Sequence, residues 1–141
     1  MTLAETARAF FDAYTNHDVT KMLSFFSPEA TYEYVPYGEE GKGRVHDSAA
    51  AIWGGFIDAF PDFQVESKNL MTTEDGIVIV ETVQGGTQVK DIIGIKSKGR
   101  AQFTPHIFIF RFNQAGLICA IKAYWDNNTI YVQLGHTELH D

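Results

Sequence analysis

A single cysteine, Cys119, excludes any internal disulfide, and its place in an apolar stretch suits a small core residue better than a reactive thiol. Basic residues are few: 11 Lys and Arg stand against 18 Asp and Glu, giving a net charge of -7 with no cluster of positive side chains. Phosphate-backbone binding needs a concentrated basic face, so nucleic acid is not an expected partner, and an anionic membrane surface is disfavoured for the same reason. No apolar run reaches the roughly 18 residues of a membrane span. Met1–Glu5 lacks the basic and apolar regions of a secretion signal, so the expected location is cytoplasmic. The five histidines are scattered without zinc or iron spacing, which predicts no metal and no other cofactor. His136 and His140 are four apart, but in a polar tail that reads as solvated.

What remains is an ordinary globular composition, 45% apolar and 21% charged over 141 residues, enough for one domain, 1-141, with a substantial core. Thr2 and Glu5 have capping-box spacing, and Leu3, Ala7, Phe10, Phe11 and Tyr14 recur at helical intervals. Asp18 can cap a short second helix through Met22, Leu23, Phe25 and Phe26, stopped by Ser27-Pro28-Glu29. A strand is predicted over 30–35, followed by a glycine-rich loop over 36–43 that suggests mobility. A third helix is expected from a cap at Asp47 or Ser48 to Phe60. The period then changes to two. Strands are predicted over 63–66, 76–87, 99–113 and 117–126, punctuated by the hairpin signals Glu74-Asp75-Gly76 and Asn113-Gln114-Ala115-Gly116. Helices followed by a long meander imply an α+β fold, with a strongly curved, mixed or antiparallel sheet wrapped around the N-terminal helices.

Two residues stand out as chemistry. His106 opens the apolar run Ile107-Phe108-Ile109-Phe110-Arg111-Phe112, and Asp126 closes the neighbouring strand ending Tyr124-Trp125. A carboxylate and an imidazole on adjacent strands can form an acid/base pair in a dry cavity, where desolvation raises the carboxylate pKa toward neutrality. The competing role of Asp126 is to cap the segment that begins at Asn127, and that of His106 is a backbone-bonded core residue. Tyr14, Tyr32, Tyr34, Trp53, Phe56, Phe60, Phe108 and Tyr124 are candidate substrate-binding residues, and each is equally suited to filling a core. With Asp126 as the base, His106 is the nearest candidate donor to a developing enolate, and Gln102 and Tyr32 are further ones. Arg111 is expected on the outer sheet face.

The order of elements resembles the nuclear-transport-factor-2-like α+β barrels, and within them the SnoaL-like polyketide cyclases. The resemblance spans nearly the whole chain. It rests on Ala59-Phe60-Pro61-Asp62-Phe63, on His106 to Phe112, and on Tyr124-Trp125-Asp126 with Gln133-Leu134-Gly135. It implies a cone with an internal cavity, cofactor-independent aldol cyclisation or isomerisation of a hydrophobic carbonyl compound, and a homodimer through the outer sheet face. Asp126 matches the family's acid/base aspartate, and His106 a nearby histidine. A non-catalytic binding or dimerisation module of the same fold is the alternative; an epoxide hydrolase with an Asp-Arg-Asp arrangement is a weaker one, since Arg111 is expected to face outward. The three polar groups of ketosteroid isomerases fall at Phe10, Tyr34 and Phe108, which disfavours that mechanism. Two positions depart from the cyclase pattern: Gln88 where a histidine is common, and Lys122 where an aromatic residue is expected and where a positive charge can neutralise Asp126.

Overall fold

The computed structural model describes residues 1–137. Thr2 caps α1 (Leu3–Thr15) through the expected capping box, Glu5 N–H donating to Thr2 Oγ1 and Thr2 N–H to Glu5 Oε1. Asp18 caps α2 (Val19–Ser24) by accepting from Lys21 N–H. The next strand begins earlier than expected. β1 (Phe26–Tyr34) runs straight through Pro28 because the ladder is irregular between Phe26 and Thr31, which frees Pro28 from donating. The glycine-rich segment takes 3₁₀ form over Val35–Gly41, kinked at Gly38, and leads into the short β2 (Lys42–Arg44). Neither Asp47 nor Ser48 caps α3 (Ala50–Ala59). A single π turn (Val45–Ala49) precedes it, and no side chain bonds its first turn.

β3 (Gln64–Thr72), β4 (Ile77–Thr87), β5 (Ala101–Phe112) and β6 (Ile118–Tyr124) follow, then α4 (Asn127–Gln133). Gly76 and Gly116 take φ of 77° and 80° in the two hairpins, a region open to glycine without steric cost. The six strands form one open, mixed sheet in the order β2-β1-β6-β5-β4-β3, with β1 and β6 parallel and the remaining neighbours antiparallel. The two ends of the sheet do not meet.

Aromatic residues fill the closed end of the concave side. Phe10 lies edge-on to Phe11, Phe26, Trp53 and Phe110 at centroid separations of 5.3–5.6 Å. Trp53 and Phe110 are fully buried. Cys119 is only half-buried, so its contribution to the core is slighter than its apolar strand suggests. Among the described residues no helix is long and apolar enough to cross a membrane.

Candidate functional site

The concave face changes character along two strands. Val78 and Val80 are followed in the same inward phase by Thr82 and Gln84 on β4, while Phe110 and Phe108 are followed by His106, Thr104 and Gln102 on β5. The register sets Val80 opposite Phe108, Thr82 opposite His106 and Gln84 opposite Thr104. All are buried, so the open half of the cone carries a polar band above an apolar floor. Burying these amides and hydroxyls is tolerated because they pair among themselves. Thr82 Oγ1–H donates to Gln84 Oε1 at 3.4 Å, and Thr104 Oγ1–H to Gln102 Oε1 at 2.6 Å. With both carbonyl oxygens engaged, each glutamine keeps its amide N–H groups for the cavity.

That cavity, about 50 Å³, is lined by Tyr14, Tyr34, Tyr37, Gln84, Gln102, His106 and Asn127 as its polar members. Its apolar wall comes from Phe56, Phe60, Phe63, Phe108, Ile92, Ile95, Trp125, Ile130 and Leu134. α4 covers the open end, and Gln133 ties it to the sheet. β6 ends its pairing at Tyr124 with Ile107, which leaves the far part of β5 an open edge. Gln133 stands in for the missing strand, accepting from Phe103 N–H at 2.7 Å and donating to Phe103 C=O at 3.2 Å.

His106 is positioned on three sides. Its ring stacks on Trp125 at 4.8 Å and on Phe108 at 5.8 Å, and Nδ1–H donates to the Thr104 carbonyl at 3.0 Å. A carbonyl can only accept, so this bond sets the tautomer and leaves Nε2 as a bare lone pair, with no protein partner among the described residues. Desolvation dominates its titration and pushes the imidazole down to about 4, although the neighbouring carbonyls pull the other way. His106 is therefore neutral at physiological pH. Tyr34 Oη accepts the Trp53 indole N–H at 2.7 Å, so its own proton is free to be donated. Burial raises the Tyr14 and Tyr34 phenols well above their ordinary value and the Tyr37 phenol to about 12, which keeps all three protonated. The polar side chains of the lining are all neutral, with no carboxylate and no cation among them.

Of the residues expected at the site, Tyr14, Tyr34, Phe56, Phe60, Gln102, His106 and Phe108 line the cavity. Four do not. Trp53 is packed behind it, reaching it only through the bond to Tyr34. Tyr32 turns to Ser48 Oγ at 2.7 Å, and Tyr124 is 40% exposed on the outer sheet face. Asp126 is exposed as the N-cap of α4, accepting from Asn128 N–H at 2.8 Å. It sits at the edge of an open outer groove that shares only His106 and Trp125 with the inner cavity. Asp126 does not line the inner cavity, so the pair is not enclosed in it; His106 and Asp126 meet instead along the open outer groove. Lys122 does not neutralise Asp126 either; it lies 3.7 Å from Glu33 and over the Tyr124 ring. Arg111 is exposed, as expected. His136 is not simply solvated, since its Nε2–H donates to the Lys96 carbonyl at 3.1 Å, and His140 lies outside the described residues. Among the described residues no group of three or more potential ligands is arranged for a metal ion.

Sequence reasoning missed Tyr37, Phe63, Gln84, Ile92, Ile95, Trp125, α4's Asn127 and Ile130, and Leu134 at its C-cap. Gln84 had a signal, since it shares the strand phase of Val78 and Val80. The loop and α4 residues had none, because they reach the cavity through tertiary packing.

The family model described as SnoaL-like domain matches residues 7–121. Among solved structures, IdmH from Streptomyces antibioticus, provisionally described as a polyketide cyclase, superposes with a TM-score of 0.81 at 20% identity, covering 96% of this chain and 99% of that one. A Catenulispora acidiphila protein with a ketosteroid isomerase-like fold, solved with trimethylamine, gives 0.78 at 18% identity over 96% and 95%. TsrD from Streptomyces laurentii gives 0.79 at 22% identity over 93% and 92%. No curated protein matches. The chain belongs to the SnoaL-like domain family and has the ketosteroid isomerase-like fold.

Proposed function

With a SnoaL-like domain as the premise, we propose that this protein is a cofactor-independent acid/base enzyme acting on a neutral, hydrophobic carbonyl compound, by aldol cyclisation or isomerisation. The observation that carries the reading is His106: a neutral imidazole with a defined tautomer and an unpartnered Nε2, in the lining of a cavity that also holds protonated phenols and amide groups. In this reading the α-carbon proton passes to His106 Nε2. The enolate oxygen is held by Tyr14 and Tyr34, with Gln102 and Gln84 as further donors. The enolate carbon then bonds to a second carbonyl of the same molecule, and the imidazolium returns the proton to the new alkoxide. Imidazolium and enolate stabilise each other in a site too apolar to hold either alone. Trp125, Phe56 and Phe60 would orient the substrate.

The test needs no knowledge of the natural substrate. Enolisation is read directly as hydrogen–deuterium exchange at the α-carbon of small 1,3-diketones and aryl ketones in D2O. The wild type is expected to accelerate exchange, and His106→Asn to lose about 10²-fold or more of that acceleration. Binding without acceleration by any of these compounds would sink the enzymatic reading and favour a binding module. We also propose a homodimer through the outer sheet face, where Phe103, Ile107 and Tyr124 are 40–43% exposed. Sedimentation of Ile107→Glu checks it: the variant should run as a monomer where the wild type runs as a dimer.

A further inference from the structure

The cavity is far smaller than the roughly 300–1,000 Å³ of ordinary ligand sites, so a substrate must displace part of its wall. Two wall residues, Ile92 and Ile95, come from the connection between β4 and β5, and that connection is built around one buried side chain. Gln88 has no exposed surface. Its Nε2 donates both hydrogens to the loop it opens, to Lys90 C=O at 3.0 Å and Ile95 C=O at 2.9 Å. Its Oε1 has no partner and is the one such buried side-chain atom among the described residues. Flipping the amide would set its oxygen against two carbonyls, so the orphan oxygen cannot be relieved that way. A buried unpaired acceptor costs stability, and a residue kept at such a cost is holding something.

What it holds is strained. Ile92 and Ile95 exchange both backbone hydrogen bonds at 3.1 and 2.8 Å around Ile93 and Gly94, whose φ values are 50° and 73°. Positive φ is rare for a β-branched residue and persists only where the surroundings over-determine it. Here they do: Ser97 Oγ–H donates to Gln88 C=O, Asp91 Oδ1 accepts from Ser97 N–H, and Val89 N–H reaches Ala59 C=O.

We propose that Gln88 is a positioning residue that sets the size of substrate admitted, by pinning the loop 88–99 so that Ile92 and Ile95 form a fixed wall of the cavity. This rests on the cavity being the substrate site. Gln88 itself does not line it.

The experiment compares wild type, Gln88→Leu and Ile92→Ala in two readouts. The first is amide hydrogen exchange of Ile92 and Ile95. The second is affinity, by tryptophan fluorescence, for acetophenone, 2-acetonaphthone and 2-acetylanthracene, which differ in ring number. The wild type should favour the one-ring ketone over the three-ring ketone by at least about tenfold. Gln88→Leu should speed exchange at both amides and flatten that preference. Ile92→Ala trims the same wall without touching the anchor, so it should flatten the preference even where Gln88→Leu does not fold. Unchanged exchange in a folded Gln88→Leu overturns the pinning. An unchanged size ranking in Ile92→Ala overturns the wall. If ketones bind with the expected ranking but undergo no α-proton exchange in any variant, the enzymatic reading falls while this one stands.

Discussion

Acid should destabilise this fold through His106 before its carboxylates titrate. The unfolded imidazole takes up a proton near 6.5, whereas the native one resists until about 4 because burial disfavours the cation. Between those values the unfolded state binds the extra proton, so stability rises with pH across the window. The contribution is fully present above about 6.5 and is lost as pH falls toward 4. At 1.36 kcal/mol per pK unit, lowering the pH from 7.5 to 4.5 should cost the wild type roughly 2–3 kcal/mol from this residue alone. His106→Asn is the control, since an amide N–H can still reach the Thr104 carbonyl and does not titrate. Urea unfolding of both proteins at the two pH values isolates the difference. The reasoning fails if the two lose stability in parallel, or if nitrogen NMR finds the native ring titrating near its ordinary value. A resonance pattern with the proton on Nε2 would also refute it.

Two further outcomes follow from the same contacts. Tyr34→Phe leaves the fully buried Trp53 indole N–H without its acceptor and should cost about 1–3 kcal/mol by urea unfolding, while also slowing enolisation. Asp126→Asn should change neither stability by more than a few tenths of a kcal/mol nor α-proton exchange, because asparagine is as good an N-cap as aspartate. Loss of exchange in a fully folded Asp126→Asn would instead make the carboxylate part of the chemistry.

The elements were legible where one local rule decided them. The Thr2 and Asp18 caps, the Gly76 and Gly116 turns and the inward phase of Val78, Val80, Phe108 and Phe110 need only nearby residues. The site was half legible for the same reason. Gln102 and His106 share the phase of Phe108 and could be placed inside, whereas Tyr124 follows inward-facing Ala123 and so had to face out. Tyr32 and Tyr34 are both buried on β1, yet only contacts from the π turn and α3 decide which reaches the cavity. The wall built by Ile92, Ile95, Ile130 and Leu134 comes from a loop and a terminal helix folded over from elsewhere, and no periodicity reports that.

The outward turn of Asp126 and the neutrality of His106 belong together. A carboxylate inside the chamber would favour the imidazolium and raise its pKa. With Asp126 spent on the α4 cap, desolvation decides, and the ring remains an acceptor at neutral pH. The chamber lining then carries no charged side chain of either sign, which is why the proposed substrate is a neutral compound. Charge made during a reaction there has to be made in pairs and collapsed before release, since neither ion is stable alone against Phe108 and Trp125. In the proposed reaction, a proton taken from carbon by His106 and returned to the product's oxygen would meet that condition without a second charged residue, which is the reason for placing the proposed chemistry on the imidazole rather than on the capping aspartate.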